Sequence, residues 1–497
     1  RFFFLVDTIQ PSIIINSPTN TTYNNASLTV NATTNGNSLV LNLDNSLVSW
    51  WRMDDVNSTG TKVIDYMGRN NGTALGGAVQ TDAGKMGKGF SFNGSQYINA
   101  GNTASLNIYQ NITVSVWVNF YKASQTGGIF ARTVNANNRF ELMPSTDNNL
   151  YYVISNGTAN YECDTSSYST YLPVNTWHNI IIYTNTTGFG TYIDGISRKS
   201  CNYVSGFTPN MSVNTNFLIG SRYTSSTYFN GSIDDVMIFN RTLSLTEILA
   251  LYNATAPQYN YNFGADGSHS VQAFSQDLGG NVNTTTTVFT VDSAAPVVNV
   301  TYPINGTTYN INVSVLNYTI TELGGSCWYS NSSGVWNSTT QSAGTNWTGV
   351  TSKEGSNNWT VYCNDTTGNM NSSLVSFTKD TTAPTVNITY PLNTTYSINV
   401  SVLNYTITET GGYCWYSNSS GVWNSTSQTA GTNWTNVISK EGSNTWTVYC
   451  NDTTNNVNSS SVTFFRDSVY PAINITYPIN NTNYSSNTLS VNYTVSD

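Results

Sequence analysis

Short segments that alternate apolar and polar residues recur along the chain, separated by clusters of Gly, Asn, Asp and Pro. This period of two is typical of antiparallel strands that bury one face. It predicts strands at residues 113–118, 313–320, 327–330, 359–363 and 374–378. The pattern therefore indicates an all-β protein.

One segment departs from this alternation and predicts a short helix, at residues 245–252. Ser244 precedes it and Glu247 follows three residues later, which is the spacing of a capping box. We interpret Glu247 as a helix cap.

A phrase that runs from Asp through Pro to Tyr recurs along the chain. Its prolines are Pro11, Pro296, Pro384 and Pro471, of which the last three are 88 and 87 residues apart. That period is near the size of a small β-sandwich. Pro11 and Pro296 lie 285 residues apart, about 198 more than one period. The spacing predicts a whole domain inserted into the first repeat, and chain ends that fall inside repeat units.

At 497 residues the chain should form several cores. The predicted organisation is the last strand of a preceding unit at 1–7, an interrupted unit at 8–44 plus 254–292, the inserted domain at 45–253, complete units at 293–380 and 381–467, and the first strands of a further unit at 468–497.

The composition of the chain excludes several classes of protein. Only 9% of residues are charged and 13% are aromatic, which argues against disorder. The net charge of -9 argues against nucleic-acid binding. No apolar run is long enough to span a membrane, and no signal peptide is visible.

The six cysteines fall as three pairs, one within each of three units. No pair has the close spacing or the histidine neighbours of a zinc site. Disulfides formed in an oxidising compartment are therefore predicted. The position that matches Cys363 in the interrupted unit is Ser275, so that unit should lack a bridge. The predicted pairs are Cys163 with Cys201, Cys327 with Cys363, and Cys414 with Cys450.

Asn-x-Ser/Thr sequons are abundant, and roughly half of the Asn residues begin one. An AT-rich genome would raise the Asn content and explain part of the excess. We expect N-linked glycans, which would supply the solubility that few charges cannot. The predicted sites are Asn31, Asn71, Asn111, Asn156, Asn185, Asn299, Asn337, Asn358, Asn387, Asn424 and Asn474.

The repeat units resemble immunoglobulin-like repeats of long bacterial and archaeal surface proteins, particularly at Trp359-Thr-Val-Tyr-Cys363-Asn-Asp-Thr-Thr-Gly368. In antibody domains the disulfide crosses between the two sheets. Here the first cysteine, Cys327, comes on the strand after residues 313–320. We expect the bridge to join neighbouring strands of one sheet instead.

The inserted domain carries an ordered series of motifs. They include Leu47-Val-Ser-Trp-Trp-Arg-Met-Asp54, Gly87-Lys-Gly-Phe-Ser-Phe92, Tyr192-Ile-Asp-Gly195 and Gly231-Ser-Ile-Asp-Asp235-Val-Met-Ile-Phe-Asn240-Arg-Thr-Leu-Ser244. This order resembles the laminin G-like, concanavalin A-like jelly roll. The expected fold class is all-β, with tandem immunoglobulin-like β-sandwiches and an inserted concanavalin A-like (laminin G-like) jelly roll.

The resemblance implies calcium, because many such domains hold one on the rim between sheets. Asp65, Asn71 and Asp234 could supply the oxygen ligands that calcium takes. The alternative is that Asp65 initiates a turn before Gly68, and that Asp234 and Asp235 stabilise the start of a strand.

Related folds include glycosidases, which usually need two carboxylates beside the scissile bond. The Glu residues of the insertion are Glu141, Glu162 and Glu247, and we place none of them in a strand that alternates carboxylates. His178 falls in a strand and His269 in a Gly-Ser-rich turn, with no triad around either. We predict no enzymatic activity and structural roles for both histidines.

Jelly rolls of this type often bind glycans or proteins through rim loops, where exposed aromatics stack on sugar faces. Seven tyrosines fall in stretches that we interpret as loops: Tyr151, Tyr152, Tyr161, Tyr168, Tyr171, Tyr223 and Tyr228.

We expect an extracellular structural or adhesive glycoprotein of the cell surface, a repeat-built stalk or filament subunit that displays a lectin-like jelly roll and self-associates along the array. It looks like surface proteins of small uncultivated archaea. The incomplete units at the two chain ends could be part of a longer array. Alternatively, residues 2–6 could add a strand to a neighbouring molecule. The alternative function is a glycan-binding accessory module of a larger secreted enzyme or adhesin.

Overall fold

A computed structural model describes residues 7–135, 137–203, 207–210, 214–331, 337–418 and 424–496. The chain forms two compact units, Arg1–Ala294 and Ala295–Asp497. Among the described residues, no helix has the length and apolar character needed to cross a membrane.

The first unit is built almost wholly from strands, with a 3-10 helix at Ala104–Leu106 and α-helices α1 (Tyr168–Tyr171) and α2 (Leu245–Asn253). Its strands are β1 (Ile13–Ser17), β2 (Thr22–Tyr23), β3 (Ser27–Thr34), β4 (Ser38–Leu43), β5 (Leu47–Val56), β6 (Lys62–Asp65), β7 (Gly72–Leu75), β8 (Val79–Thr81), β9 (Gly89–Asn93), β10 (Tyr97–Asn99), β11 (Ile112–Phe120), β12 (Phe130–Asn135), β13 (Asn138–Pro144), β14 (Asn149–Ser155), β15 (Asn160–Ser166), β16 (Trp177–Thr184), β17 (Gly188–Ile193), β18 (Ile196–Asn202), β19 (Leu218–Ile219), β20 (Ser221–Tyr223), β21 (Ser226–Tyr228), β22 (Asn230–Phe239), β23 (Gln258–Asn262), β24 (Gly267–Gln276) and β25 (Val282–Val291).

The interrupted repeat, called the host below, consists of β1–β4 and β23–β25. Its two sheets have the orders β1-β3-β23 and β2-β25-β24-β4. Apolar residues of both sheets, among them Val30, Leu41, Val271 and Phe289, meet in one core. The host is therefore a β-sandwich whose second half returns after the insertion.

The insertion, called the guest, runs from β5 to α2. Most of its strands form one sheet that curls into a nearly closed jelly roll, in the order β15-β14-β13-β12-β19-β10-β7-β6-β5-β22-β11-β16-β17-β18. Its interior is filled by fully buried aromatic and branched side chains such as Trp51, Phe90 and Phe140. The Cys163–Cys201 disulfide joins β15 to β18, the two ends of that order. The bridge thus ties together the two edges at which the sheet would otherwise stay open.

Host and guest share a second core. Every residue of β4 is buried: Leu39, Leu41 and Leu43 enter the host core, while Val40 packs with guest residues. On the neighbouring strand, Phe274 meets Trp50 edge to face at 5.7 Å. The guest is consequently packed against the host as well as connected to it twice.

The predicted helix and its cap are confirmed, since α2 begins after Ser244 with both hydrogen bonds of a capping box to Glu247. Glu247 also forms a buried two-pronged ion pair with Arg241, whose Nη1 donates to Oε2 at 2.9 Å. Arg241 donates further to Leu41 O at 3.1 Å and to Ser46 Oγ at 2.9 Å. Burial acts to lower the pKa of Arg241, but the Glu247 carboxylate outweighs it and raises that pKa. Arg241 is therefore a charged guest residue that hydrogen-bonds a host strand.

The second unit contains two complete repeats and a hairpin. Its strands are β26 (Val298–Tyr302), β27 (Thr308–Tyr309), β28 (Val315–Ile320), β29 (Ser326–Ser330), β30 (Gln341–Ser342), β31 (Trp347–Thr348), β32 (Gly355–Asn364), β33 (Met370–Lys379), β34 (Val386–Tyr390), β35 (Thr395–Tyr396), β36 (Val402–Ile407), β37 (Tyr413–Ser417), β38 (Gln428–Thr429), β39 (Trp434–Thr435), β40 (Gly442–Asn451), β41 (Val457–Arg466), β42 (Ala472–Tyr477) and β43 (Asn492–Ser496).

The predicted strands are confirmed with shifted ends. β28 begins at Val315 rather than at Val313 because the Val313 N–H donates to Ser352 Oγ at 3.0 Å instead of to a partner strand. β32 and β33 extend beyond the predicted segments to ten residues each.

The two remaining disulfides join neighbouring strands of one sheet, as expected. Cys327 lies directly opposite Cys363 in the β29–β32 pair, and Cys414 opposite Cys450 in the β37–β40 pair. In the host the matching pair of strands places Leu39 opposite Ser275. The host therefore lacks this bridge, as the sequence predicts.

The recurring phrase forms the boundary of each repeat. The Asp380 N–H, at the start of one phrase, donates to Tyr309 O, at the end of the previous phrase, at 2.9 Å. Asp292 makes the same bond to Tyr23, and Asp467 to Tyr396. Each copy of the phrase is therefore hydrogen-bonded to the next copy.

The strand-exchange hypothesis concerns residues 2–6, which lie outside the described residues. At the other end, within the part of the chain that the structure describes, β42 and β43 pair only with each other. Their side chains at the positions of a repeat core, such as Ile473, Ile475 and Tyr493, are exposed.

Replacement of Glu247 by Ala should strongly destabilise the first unit, because it leaves the Arg241 guanidinium buried without its carboxylate. We expect a loss of about 3–5 kcal/mol, as for other broken buried ion pairs. Removing the other half of the cap with Ser244→Ala should cost about 1 kcal/mol. Calorimetric melting of the full chain measures both, and equal effects of the two variants would contradict the role of Arg241.

Candidate functional site

Three carboxylates lie where the guest meets a turn of the host. Asp54 belongs to β5, and Asp234 and Asp235 belong to β22. Arg52 pairs with Asp54 at 3.2 Å and donates to Gly280 O of the host turn. We call Asp54, Asp234 and Asp235 the junction carboxylates.

Each junction carboxylate accepts hydrogen bonds from a fixed donor. Asp235 Oδ1 accepts from the indole N–H of Trp50 at 2.7 Å, and its carboxylate also faces the side-chain amide of Gln276 in the host. Asp234 Oδ2 accepts from the backbone N–H groups of Lys85 at 2.8 Å and Met86 at 3.1 Å. Asp235 therefore faces the host directly, whereas Asp234 is held by guest backbone alone. A neutral acid could also accept these hydrogen bonds.

Burial raises the pKa of all three junction carboxylates. The pKa of Asp235 rises to about 7 through burial, against the opposing effect of the Trp50 hydrogen bond. Burial likewise raises the pKa of Asp54 to about 6 and that of Asp234 well above its usual range. The three groups therefore take up protons that an unfolded chain would release.

A second polar cluster lies on the outer face of the guest sheet. Glu141, on β13, is fully buried and accepts from Arg222 Nε at 2.9 Å, Arg222 Nη2 at 2.8 Å and Arg139 Nη1 at 3.0 Å. Arg139 also pairs with Glu162 on β15. We call Arg139, Glu141, Tyr151, Glu162 and Arg222 the charged face. They line a hollow of about 160 Å³.

The prediction that no Glu lies in a strand with alternating carboxylates is wrong. Glu141 lies in β13, and Glu162 alternates with Asp164 in β15. The mistake arose because polar residues on an outer face look like loop residues when the pairing of the strands is unknown. Both Glu141 oxygens are held by arginines and by the Thr133 hydroxyl, at 2.7 Å, so this carboxylate is engaged in structural contacts.

The tyrosines assigned to loops lie in regular elements instead. Tyr151 and Tyr152 are in β14, Tyr161 is in β15, Tyr168 and Tyr171 are in α1, Tyr223 is in β20 and Tyr228 is in β21. Tyr152 and Tyr168 are buried, and the Tyr168 hydroxyl donates to Ala123 O at 2.6 Å. Tyr151 remains on the charged face, where its hydroxyl donates to Asp147 at 2.7 Å.

The two histidines differ in how well they were predicted. His178 lies in β16 as predicted, with Nδ1 2.7 Å from Asp194 Oδ2. His269 is in strand β24 rather than in a turn. Burial lowers the pKa of His269, but its bond to Asp44 at 2.8 Å outweighs this and raises it.

Two of the predicted calcium ligands lie together and are engaged in hydrogen bonds. Asp65 Oδ2 accepts from the N–H groups of Arg69 at 3.0 Å and Asn70 at 2.8 Å, while Asn71 Oδ1 accepts from Asp65 N–H at 3.0 Å. Asp234 binds the separate Lys85–Met86 backbone. The geometry matches a turn role for Asp65, and calcium at these three residues stays a prediction.

A different acidic cluster lies in the second unit, at the boundary between its two complete repeats. Asp380, Glu409 and Asp452 each offer an oxygen within 4.8 Å of the others, an arrangement that could hold a metal ion. Burial, then the charges of Asp380 and Asp452, raise the pKa of Glu409. Asp452 is held by Thr454 and Asn456, and their hydrogen bonds lower its pKa despite burial. Sequence reasoning missed this cluster because its members come from two repeats.

The predicted glycosylation sites are all at least partly exposed. Among them, Asn156 and Asn185 accept hydrogen bonds at Oδ1 from the Thr hydroxyls of their own sequons, Thr158 and Thr187, both at 2.9 Å.

Comparison with known proteins bears on the guest. Its C-terminal part matches a protein-family model. Residues 92–249 match the concanavalin A-like lectin/glucanases superfamily. The match covers about a third of the chain and confirms the expected resemblance of the guest. No curated protein sequence matches the chain.

Similar solved structures come from several proteins. Domain 4 of an extracellular arabinanase from Geobacillus stearothermophilus, solved with arabinotriose, is 20% identical, with 42% of this chain and 98% of that chain covered and a TM-score of 0.34. A botulinum neurotoxin type C structure is 12% identical, with coverages of 67% and 93% and a TM-score of 0.34. A Trypanosoma rangeli sialidase is 13% identical, with a TM-score of 0.32. There, 42% of this chain is covered and only 32% of the sialidase.

The raised pKa values of the junction carboxylates predict that the first unit is more stable at mildly acidic pH than at neutral pH. A carboxyl whose folded pKa is raised favours folding below its unfolded pKa, and this contribution is lost as pH rises through the folded pKa. The melting temperature of this unit should therefore rise as pH falls from about 8 to about 5. Asp235→Asn should reduce that dependence by the share that Asp235 contributes, and leave the shares of Asp54 and Asp234.

His269 also makes the first unit more stable as pH falls, because its raised pKa favours folding at lower pH. The variant His269→Gln separates the two contributions. A pH profile of melting that Asp235→Asn leaves unchanged would contradict the burial of a protonated Asp235.

Proposed function

We propose that this chain is an extracellular structural and adhesive glycoprotein of the cell surface, in which immunoglobulin-like repeats form a stalk or filament and hold the jelly roll for display. The three disulfides support folding in an oxidising compartment.

The observation that carries the proposal is the core shared by host and guest. A domain on a single flexible tether would take many orientations. Here the guest is connected at both of its ends, and Trp50, Met237 and Leu251 pack against Val40 and Phe274 of the host. This core would give a displayed domain one orientation relative to the repeat that carries it.

Contacts between the consecutive repeats of the second unit support a stalk built from repeats. The Asn456 side chain, in the later repeat, donates to Asp380 O at 2.8 Å, and Asn310, in the earlier repeat, donates to Thr454 O at 2.9 Å. Direct bonds of this kind limit bending at a joint. We infer that the same joint is used along the array.

Electron microscopy of the purified full chain tests the structural role. We expect fibres, or oligomers with a regular axial spacing, as protein concentration increases. A chain that stays monomeric at every concentration and on its native surface would contradict the filament.

The second candidate function is a glycan-binding accessory module, and the charged face favours it. Buried Glu141 fixes the guanidinium groups of Arg139 and Arg222 beside Tyr151, and planar donors next to an aromatic ring suit sugar hydroxyls. A glycan array probed with the full chain separates the two functions. Tyr109 is an exposed guest tyrosine outside the charged face and serves as the control. Binding that is lost in Tyr151→Ala but kept in Tyr109→Ala would favour the module, and no binding favours the stalk.

Calcium is the cofactor that we propose for Asp380, Glu409 and Asp452, since calcium takes carboxylate oxygens. It would neutralise the repulsion that acts on Glu409. Calcium at 100 times its dissociation constant should stabilise the second unit by about 2.7 kcal/mol.

The variant Glu409→Gln should abolish the shift in melting temperature that calcium causes. Glu441→Gln is the matched control, because Glu441 is bonded to Ser468 in the same unit and lies outside the cluster. No shift in the unmodified chain, or a shift that survives in Glu409→Gln, would contradict the assignment.

A further inference from the structure

A pocket lies between host and guest, beside the end of α2. Its guest side is formed by Lys85, Met86, Trp117, Tyr252 and Asn253, and its host side by Gly36, Asn37 and Leu278. We propose that Asn253 is an N-glycosylation site and that the first sugars of its glycan lie in this pocket. The inference deepens the proposed glycoprotein function and rests on it.

Asn253 begins the sequon Asn253-Ala254-Thr255 and is exposed at the end of α2. Ala254 adopts a left-handed φ of 57°, which ends the helix and brings Thr255 back over Asn253. The Thr255 hydroxyl and its backbone N–H both donate to Asn253 Oδ1. The side-chain oxygen is thereby held, and among the described residues no protein group is hydrogen-bonded to the amide nitrogen Nδ2.

The pocket offers the surface that a sugar prefers. Tyr252 stacks on Trp117 with ring centres 5.8 Å apart, and Lys85 Nζ lies 4.5 Å from the centre of the Trp117 ring. Trp117 is itself buried, so the partly exposed Tyr252 ring is the aromatic surface available to the apolar face of a sugar. The Asn37 amide and the Lys85 ammonium group line the same pocket and can donate to sugar hydroxyls. The volume of about 440 Å³ falls in the range of sites that hold small ligands.

Two other sequons provide matched controls. Asn156 and Asn185 accept from the backbone N–H and hydroxyl of Thr158 and Thr187, the same local geometry as at Asn253. Neither of them lines the pocket at Asn253. A difference in behaviour between Asn253 and these sites would therefore reflect the pocket and not the sequon.

The modification is a transfer from a lipid-pyrophosphate-linked oligosaccharide. Nδ2 of Asn253 attacks C1 of the reducing-end sugar, and the C1–N bond forms as the C1–O bond to pyrophosphate breaks. The lipid pyrophosphate leaves with the electron pair, and one amide proton passes to a base of the transferase.

The test uses the full chain secreted from eukaryotic cells. Peptide mass spectrometry measures occupancy at Asn253, Asn156 and Asn185, and a time course with peptide N-glycosidase under native conditions measures release. We expect Asn253 to be occupied and its glycan to be released about tenfold more slowly than at the control sites, because the enzyme needs the pocket to open first. After denaturation the three rates should be equal.

Variants connect slow release to the pocket. Tyr252→Ala should bring the rate at Asn253 to that of the controls, and Lys85→Ala is the second variant in case the first does not fold. Thr255→Ala should remove the glycan from Asn253 and leave the other two.

Each contrary result would overturn a specific part of the inference or of the proposed function. Occupied controls with an unmodified Asn253 would overturn this inference and leave the proposed glycoprotein function standing. Three unmodified sites would count against the glycoprotein function as well. An occupied Asn253 whose glycan is released as fast as the controls would overturn the placement in the pocket.

Discussion

The first unit depends on the need to cover both faces of one host strand. Along β4, Leu39, Leu41 and Leu43 pack into the host sandwich, and Val40 between them packs against the guest. Apolar surface that faces water on either side would be costly. The inserted domain therefore completes the burial of its host, and the buried Arg241–Glu247 pair adds a polar contact at the same strand. Separating host from guest would expose apolar side chains of both. It would also remove the host contact of the charged Arg241 side chain.

Much of the fold could be predicted from the sequence because its strands are local patterns with a strict period. Alternation located β11, β29 and β32 to within a few residues, and Ser244 with Glu247 located α2. The spacing of the prolines predicts the insertion, and the predicted domain bounds stay a prediction. The cross-strand disulfides were also predictable, since the repeats place Cys327 and Cys414 at the same position on matching strands.

The candidate site was far less predictable, since it depends on which strands pair. Glu141 on β13 and Glu162 on β15 lie on the same face of the sheet because both strands pair with β14, which the sequence does not reveal. The adjacent acids Asp234 and Asp235 were visible in the sequence, but their burial depends on segments distant along the chain, namely Lys85–Met86 beside Asp234 and Gln276 of the host beside Asp235. Likewise, Asp380 joins Glu409 and Asp452 only once two repeats are in contact. A sequence pattern predicts where a strand lies, but it does not predict which distant strand pairs with it.

The pairing of successive phrases also has a mechanical consequence. In each complete repeat the short strand of the opening phrase runs parallel to the last strand, as β27 does to β33 and β35 to β41. Tension along the chain would pull these two strands past each other, so that their hydrogen bonds share the load instead of opening one by one. The host has the same pair in β2 and β25, and the guest lies inside the loop that this pair closes. Force that travels along the repeats would therefore bypass the jelly roll until its host gives way.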